Sequence, residues 1–510
     1  MTADPRPPWL HFVGVAGSGM SALAQFHVQG GGRATGSDRA FDQGHHPRIR
    51  AALEAAGVEI VSQDGSGLDA GCAAVITSTA VEVQIADVVR ARDLGLPIQH
   101  RSELLAAYVA RHRTIAVTGT SGKSTTTAMI WTILEGSGHS PGLLTGGPLR
   151  ALQEQGLLGN AWGGSGLAGD LLGDAWGDAG PVAGAADSAS TGRGPTGSLP
   201  GGAQEGGETV RGHLLVIEAD ESDGSVVRYR PWAGVVLNLA RDHKEMEEVA
   251  AMFSTFRRNC PGPFVVGEGA NLDFLRPGAV TFGLGDSADI RGRDLVLSPR
   301  AVAFSVDGVR FQVPWPGRHT VLNALAAMAA CRQAGVPFAD MAAALAAFQG
   351  VERRFVSLGT AGGVEVIDDF AHNPDKLSAA IRTAHQRLEG GTGRVLAIFQ
   401  PHGFGPTRFL RPDLVAALAD ALRPQDVIWL PEIFYGGGTV TKDISSADLV
   451  ADLRSQGCDA RFTAVRTDLP ALVAAEARPG DLVLVMGARD PSLTDLGQAI
   501  LLALGAAGET

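Results

Sequence analysis

Cysteine, lysine and tyrosine are all scarce in this 510-residue chain, which has four cysteines, four lysines and three tyrosines. Cys72, Cys260, Cys331 and Cys458 lie far apart, with neither metal-site spacing nor a disulfide framework, as suits a reducing compartment. No basic run interrupts a formal net charge of −12, which argues against a general nucleic-acid binder. No stretch reaches the roughly 18 uninterrupted apolar residues of a membrane span. The opening MTADPRPPWLHFVG also lacks the charged-then-apolar pattern of an export signal. A cytoplasmic protein with no membrane partner is expected. With 45% hydrophobic and 19% charged residues, the chain reads as globular, and its length suggests about three domains.

Residues 114–127, TIAVTGTSGKSTTT, organise what is present. An apolar β-branched run breaks into a glycine-punctuated turn, and a helical pattern, AMIWTILEGSG, follows. That order predicts a phosphate-binding loop. Gly119 and Gly122 let backbone N–H groups of Thr120 and Ser121 turn inward, and the helix N-terminus adds partial positive charge. Lys123 can reach terminal phosphates, and Ser124 or Thr125 can offer a hydroxyl to Mg²⁺. Val117 stands where the longer form of this motif has its first glycine, so the loop is of the shorter G-x-x-G-K-S kind.

Upstream, LHFVGV reads as a buried strand and AGSGMSALAQFHVQGGG as a turn and helix, with Gly14, Gly17 and Gly19 in a dinucleotide-like pattern and Ser37-Asp38 about twenty residues on. A nicotinamide dehydrogenase therefore competes as a reading at this point. Residues 1 to about 110 form further βα units and an open α/β sheet. Downstream, 151–210 is rich in glycine, alanine and serine without periodicity, and reads as a flexible insertion. HLLVIEADESDGS then puts Glu218, Asp220, Glu221 and Asp223 at a strand end, where clustered carboxylates need a cation or solvent. GVVLNLARDH reads as a second strand, ending in Asp242-His243. The last third reads as another doubly wound sheet, through GGVEVIDDF, GRVLAIFQPH, DVIWLPEI and DLVLVMGARD.

HFVGVAGSGMSALA, ATGSD, ITSTAV, PIQHRSELLA and AVTGTSGKSTTT together, in this order, resemble the Mur ligases. The resemblance implies three α/β domains: a Rossmann-like UDP-sugar-binding domain (1–110), a P-loop ATPase-type domain (111–349) and a Rossmann-like C-terminal domain (350–510) that receives an amino acid. It implies an ADP-forming ligase using ATP and Mg²⁺ to join an amino acid, L-alanine in the branch this chain most resembles, to the carboxylate of UDP-N-acetylmuramate through an acyl phosphate. A monomer or homodimer is expected.

Carried over residue by residue, Gly17, Ser18, Gly19 and Met20 would contact the diphosphate. Asp38 would lie near the nucleoside, and Ser78 in ITSTAV near the sugar nucleotide. Ser124, Glu218 and His243 would hold magnesium. His319 and Asn323 would sit near the adenine, with Thr320 replacing an asparagine of the family motif. Arg354 would touch the γ-phosphate, with Arg353 a solvated neighbour, and Asp369 would lie near the ATP ribose. His372 and Asn373 would face the reaction centre, and His372 or Asp369 is a candidate for taking the amine's proton. Arg408 is placed with the substrate contacts, and domain closure over bound substrates is expected. The acceptor end departs from the family pattern: His372-Asn373 replaces two histidines, Gly403 replaces an arginine after QPH, and Arg489 stands in MGARD where a glycine is usual. Lys442 reads as a loop charge or a substrate contact. A related ligase with a different amino acid, a recycled peptide or a different acid as substrate, and a non-catalytic paralogue, remain as rivals, the latter opposed by the intact Lys123, Glu218 and His243.

Overall fold

In a computed structural model of the chain the residues described are 8–163, 213–241, 244–388, 392–435, 441–490 and 492–508. They divide into two compact units, one comprising Met1–Thr114, Ser140–Leu144 and Ala161–Leu215, the other Ile115–His139, Thr145–Asn160 and Val216–Thr510. Of the segment 151–210, residues 151–163 are described and hold the end of a short helix, Arg150–Gln153, and a strand, Ala161–Trp162; the remainder lies outside the described residues. No described helix is long and apolar enough to cross a membrane.

The first unit contains a five-stranded parallel sheet in the spatial order Glu59–Val61, Arg33–Ser37, Trp9–Val13, Ala74–Thr77, Ile98–His100. The Trp9–Val13 strand is buried along its whole length, as a central parallel strand covered on both faces must be. Its one ionisable side chain, His11, is fully buried between Thr35 Oγ1 (2.8 Å) and Asp87 Oδ2 (3.2 Å).

In the second unit, parallel strands run in the order Ile290–Arg291, Val280–Gly283, Phe264–Gly267, Ala233–Val236, Arg113–Thr118, Leu214–Glu218. The strand expected to continue to Asp242-His243 ends at Val236. From Leu237 onward the backbone serves the neighbouring loop: Leu237 N–H donates to Thr118 O (3.0 Å) and Asn238 O accepts from Thr120 N–H (3.4 Å). A three-stranded antiparallel sheet, Arg293–Leu297, Val302–Val306 and Val309–Val313, follows.

The last sheet has six strands in the order Val356–Ala361, Val364–Asp369, Leu482–Gly487, Val395–Gln400, Val427–Pro431, Asp459–Thr463. All pairs are parallel except the first. Alternation along Val395–Gln400 builds two cores. Val395, Ala397 and Phe399 pack with Leu377, Leu414 and Leu418, whereas Leu396 and Ile398 pack with Trp429, Leu493 and Ile500 on the opposite face.

Candidate active site

The strand Arg113–Thr118 delivers the loop 119–122 to the N-terminus of the helix Lys123–Gly136. Two glycines are sterically required. Gly119 has φ 138° and a Cβ there would lie 3.0 Å from Leu237 Cβ; Gly122 has φ 88° and a Cβ would lie 2.4 Å from Asn323 Oδ1. Asn238 fixes the loop between them. Its Oδ1 accepts from Thr120 Oγ1 (2.9 Å) and Ser121 N–H (2.9 Å), and its Nδ2 donates to Ser121 O (2.9 Å). The buried Ser121 hydroxyl has no partner among the described residues, so this cradle, closed to any side chain, retains a polar group to offer a phosphate.

Lys123 Nζ donates to Glu221 Oε2 (2.7 Å) and Gly119 O (2.9 Å), with Asp220 Oδ1 at 3.6 Å. Burial alone would lower the lysine pKa, but Glu221, Asp220 and Glu218 more than offset it, and the ammonium is held charged. Ser124 Oγ donates to Glu218 (3.0 Å), which also accepts from Thr145 Oγ1 (3.0 Å) and Gly146 N–H (2.8 Å). Ser124, Thr145 and Glu218 form an all-oxygen donor set, the kind a hard divalent cation prefers. No cluster of three or more His, Cys, Asp or Glu side chains suited to a metal occurs among the described residues, and the expected ligand His243 lies outside them.

Arg354 reaches the same loop, Nη2 donating to Ser124 Oγ (3.4 Å), with its guanidinium 4.8 Å from the Phe370 ring. Desolvation lowers its pKa, against the pull of Asp369 and Glu218. Its neighbours Arg353 (φ 53°) and Phe355 (φ 56°) both adopt left-handed backbone, rare for such residues. Bonds on both sides hold this strain: Phe355 N–H to Asp369 Oδ2 (2.7 Å) and Phe370 N–H to Arg353 O (2.7 Å). Arg353 is not the solvated neighbour expected from the sequence. It pairs with the buried Asp368 (3.2 Å) and donates to Gly487 O (2.9 Å) and Asp490 O (3.2 Å), because its left-handed backbone turns the side chain into the sheet.

Asp369 accepts from Phe355 N–H and Ala371 N–H (2.7 Å each), and burial pushes its pKa up to about 6 despite Arg354. His372 Nδ1 bonds Phe370 O (2.8 Å) and its ring lies 5.4 Å from that of His402. Asn373 Oδ1 caps the helix Pro374–Arg387 by accepting from Lys376 N–H (3.0 Å). Asn323 is buried against the loop, His319 is exposed one turn earlier, and Thr320 bonds Pro316 O (2.7 Å). Arg408 is exposed and paired with Asp443. Lys442 is exposed, its ammonium 5.2 Å from the Tyr435 ring.

In the first unit, Gly17 caps the helix Ser18–Gln29, putting Ser18, Gly19 and Met20 in its first turn. The Asp38 carboxylate braces this turn by accepting from Ala16 N–H (3.0 Å), and caps the next helix through Ala40 N–H (2.9 Å). A Cβ at Gly19 would meet Arg101 Nη1 at 2.2 Å, so a guanidinium lies over the helix start. Ser78 is partly buried just past the strand Ala74–Thr77. Asn238, Thr145 and Arg101 are the residues that sequence reasoning missed; Asn238 and Arg101 lie inside segments already singled out, GVVLNLARDH and PIQHRSELLA.

Residues 10–113 match the Mur ligase family catalytic domain, 208–331 the Mur ligase middle domain, and 353–489 the Mur ligase glutamate ligase domain. A UDP-N-acetylmuramate–L-alanine ligase of Streptomyces avermitilis is 34% identical over 98% of this chain and 97% of its own. The chain is a Mur ligase. The Streptomyces coelicolor protein of the same name is also 34% identical, over 98% of each chain. In fold, this Mur ligase is similar to a UDP-N-acetylmuramate–alanine ligase of Thermotoga maritima, with TM-score 0.73, 24% identity and coverage of 98% and 99% of the two chains. A murein peptide ligase of Psychrobacter arcticus gives TM-score 0.64 at 23% identity, covering 98% and 99%. This Mur ligase is an ATP-dependent ligase, and the dehydrogenase reading of its first glycine turn is set aside.

Proposed function

We propose that this Mur ligase joins L-alanine to the carboxylate of UDP-N-acetylmuramate in peptidoglycan precursor synthesis, forming ADP and phosphate. The observation that carries this reading is the meeting of Lys123, Ser124, Glu218 and Arg354 at one phosphate loop. Kinship with L-alanine ligases along nearly the whole chain supports it.

A carboxylate cannot expel oxide when an amine attacks, so it must first gain a leaving group. A carboxylate oxygen of the sugar attacks the γ-phosphorus of ATP, and the bond to ADP breaks. The amine then adds to the acyl carbon, and the tetrahedral intermediate collapses by breaking the carbon–oxygen bond and releasing phosphate. Gly119 to Thr125 cradle the phosphates, and Lys123 and Arg354 stabilise the charge that spreads over the transferred group. Mg²⁺, held by Ser124 and Glu218 with His243 as a further ligand, would neutralise phosphate charge. Asn323 and His319 face the adenine. Because His372 Nδ1 bonds a carbonyl, its proton sits there and Nε2 is the basic nitrogen, the candidate for taking the amine's proton. Gly17 to Met20 bind the UDP diphosphate at a helix N-terminus, in the turn that Asp38 braces.

A ligase of the same chemistry with another amino acid or a peptide as acceptor is the second reading, favoured by Gly403 and Arg489 at the acceptor end. Phosphate release by the purified protein with ATP, Mg²⁺, UDP-N-acetylmuramate and each amino acid in turn tests both. Release driven by L-alanine and lost in Lys123→Met supports the first reading; release driven only by another amine supports the second. Silence with every amino acid contradicts the first reading and narrows the second to a peptide acceptor, for which the same assay is run with peptides.

A further inference from the structure

We infer that Arg489 binds the α-carboxylate of the incoming amino acid; this rests on the ligase reading above. Three neighbouring parallel strands, Val364–Asp369, Leu482–Gly487 and Val395–Gln400, end side by side, with Asp369 opposite Met486 and Gln400 opposite Gly487. The turn after the first carries His372, and the turn after the third carries His402. Those two rings stand 5.4 Å apart, so side chains from the two outer turns converge. The middle turn carries Arg489.

Chain direction marks this spot independently. The helices that follow the outer strands, Pro374–Arg387 and Phe404–Ala421, pack into one core, whereas Leu493–Gly508, after the middle strand, packs into the other. Connections leave adjacent strands toward opposite faces here, which opens a crevice at the carboxyl ends of an α/β sheet, where ligands bind. A cavity of about 430 Å³ elsewhere in this unit lies at the far ends of the outer helices; one of about 310 Å³, past the ends of Leu482–Gly487, Val395–Gln400 and Val427–Pro431, is lined by Gln400, Tyr435, Arg466, Asp490 and Ser492 among others, with Arg489 next to its lining residue Asp490 rather than in the lining.

Among the described residues, the arginines around that crevice are already committed, with one exception. Arg466 bonds Asp490, Gln400 Oε1 (2.9 Å) and Ser492 Oγ (2.7 Å). Arg353 is paired with Asp368 and holds the Arg489 turn at both ends, through Gly487 O and Asp490 O. Arg489 is exposed and makes no hydrogen bond, ion pair or ring contact among the described residues. Its φ is 63°, and Asp490 N–H closes a three-residue turn onto Ala488 O (2.8 Å). That is the positive-φ γ-turn, a rare and strained form for any residue but glycine. An arginine held in such a turn, without a partner among the described residues and next to a residue that lines the crevice, is placed for a ligand.

The chemistry names the ligand. Lys123 and Arg354 face the phosphates, so an amino acid approaching the acyl phosphate brings its own carboxylate toward accumulated negative charge. A planar guanidinium offers that carboxylate two parallel hydrogen bonds and aims the adjacent amine inward.

The test uses the full-length enzyme and the amino acid that drives phosphate release in the wild type. Arg489→Gly suits the left-handed turn, so its melting temperature should not fall. Its KM for the amino acid should rise on the order of 100-fold, as expected when a charged hydrogen-bonded partner is removed. KM for ATP and for the sugar nucleotide should stay within about twofold. Arg489→Lys should recover part of the loss. The wild type should prefer the amino acid to its carboxamide, and Arg489→Gly should lose that preference. An unchanged KM for the amino acid, or a preserved preference, overturns the assignment and leaves the ligase reading standing. Wild-type enzyme whose phosphate release no amino acid stimulates overturns the reading of an amino-acid acceptor, and this inference with it. Arg382→Ala, an exposed pair with Asp420 on the outer face of the helix Pro374–Arg387, serves as the control.

Discussion

The Lys123 ammonium lies 2.7 Å from Glu221, a carboxylate three residues beyond the one that meets Ser124. Both side chains are nearly buried, 13% and 5% exposed, so each compensates for the other's desolvation. Lys123→Met strands the carboxylate and should lower stability by about 3–5 kcal/mol. Adding Glu221→Gln should restore most of that stability in thermal or denaturant unfolding. Neither the single nor the double variant should recover phosphate release, which should fall by about a thousandfold. Equal stability of Lys123→Met and wild type would refute the pairing.

Asn238 holds Thr120 and Ser121 in place, and through them it should act on nucleotide binding without touching the nucleotide. Asn238→Ala should weaken ATP binding by about 1–3 kcal/mol, one to two orders of magnitude, as measured calorimetrically. An unchanged affinity would mean that the loop holds its shape without this clamp.

Arg353 offers a contrast between two adjacent arginines. Arg353→Ala leaves Asp368, 1% exposed, without its cation, and should cost about 3–5 kcal/mol in unfolding measurements. A solvent-facing arginine at the same position would cost less than about 0.5 kcal/mol.

Asp369 sets a pH dependence. Burial raises its folded pKa to about 6, above the roughly 3.9 of an unfolded aspartate. Between those values the folded chain keeps a proton that the unfolded chain has released. The contribution to stability is therefore full at the acid end and is lost as pH rises through about 6. In nucleotide-free protein, the melting temperature of wild type relative to Asp369→Asn should fall across pH 4 to 6.5. Parallel pH profiles for the two proteins would show that Asp369 titrates normally.

Much of the fold was legible because its signals are local. The G-x-x-G-K-S loop carries its strand, its glycines and the start of its helix in fourteen consecutive residues, and LLVI and VLAIF, in buried strands, are continuous apolar runs. The hairpin VAFSVDGVRFQV was legible too and went unread: alternation flanks an Asp-Gly pair whose φ values are 49° and 78°, as a type I′ turn requires. Arg353 was not legible. Its partners Asp368, Gly487 and Asp490 come from distant sequence, and nothing in ERRF tells which guanidinium faces a phosphate and which faces the sheet. Asn238 failed for the same reason, since its clamp joins residues about 117 positions apart. Likewise, Glu221 was visible as one of four carboxylates, but only the folded chain selects it for Lys123.

The central claim is that a sugar carboxylate is activated by phosphorylation and then captured by an amine. UDP-N-acetylmuramate labelled with ¹⁸O in both carboxylate oxygens, incubated with ATP, Mg²⁺ and L-alanine, tests it directly. The account predicts one labelled oxygen in each phosphate released, with ADP formed in equal amount and the other labelled oxygen retained in the amide. Unlabelled phosphate, or AMP and pyrophosphate in place of ADP and phosphate, would contradict it.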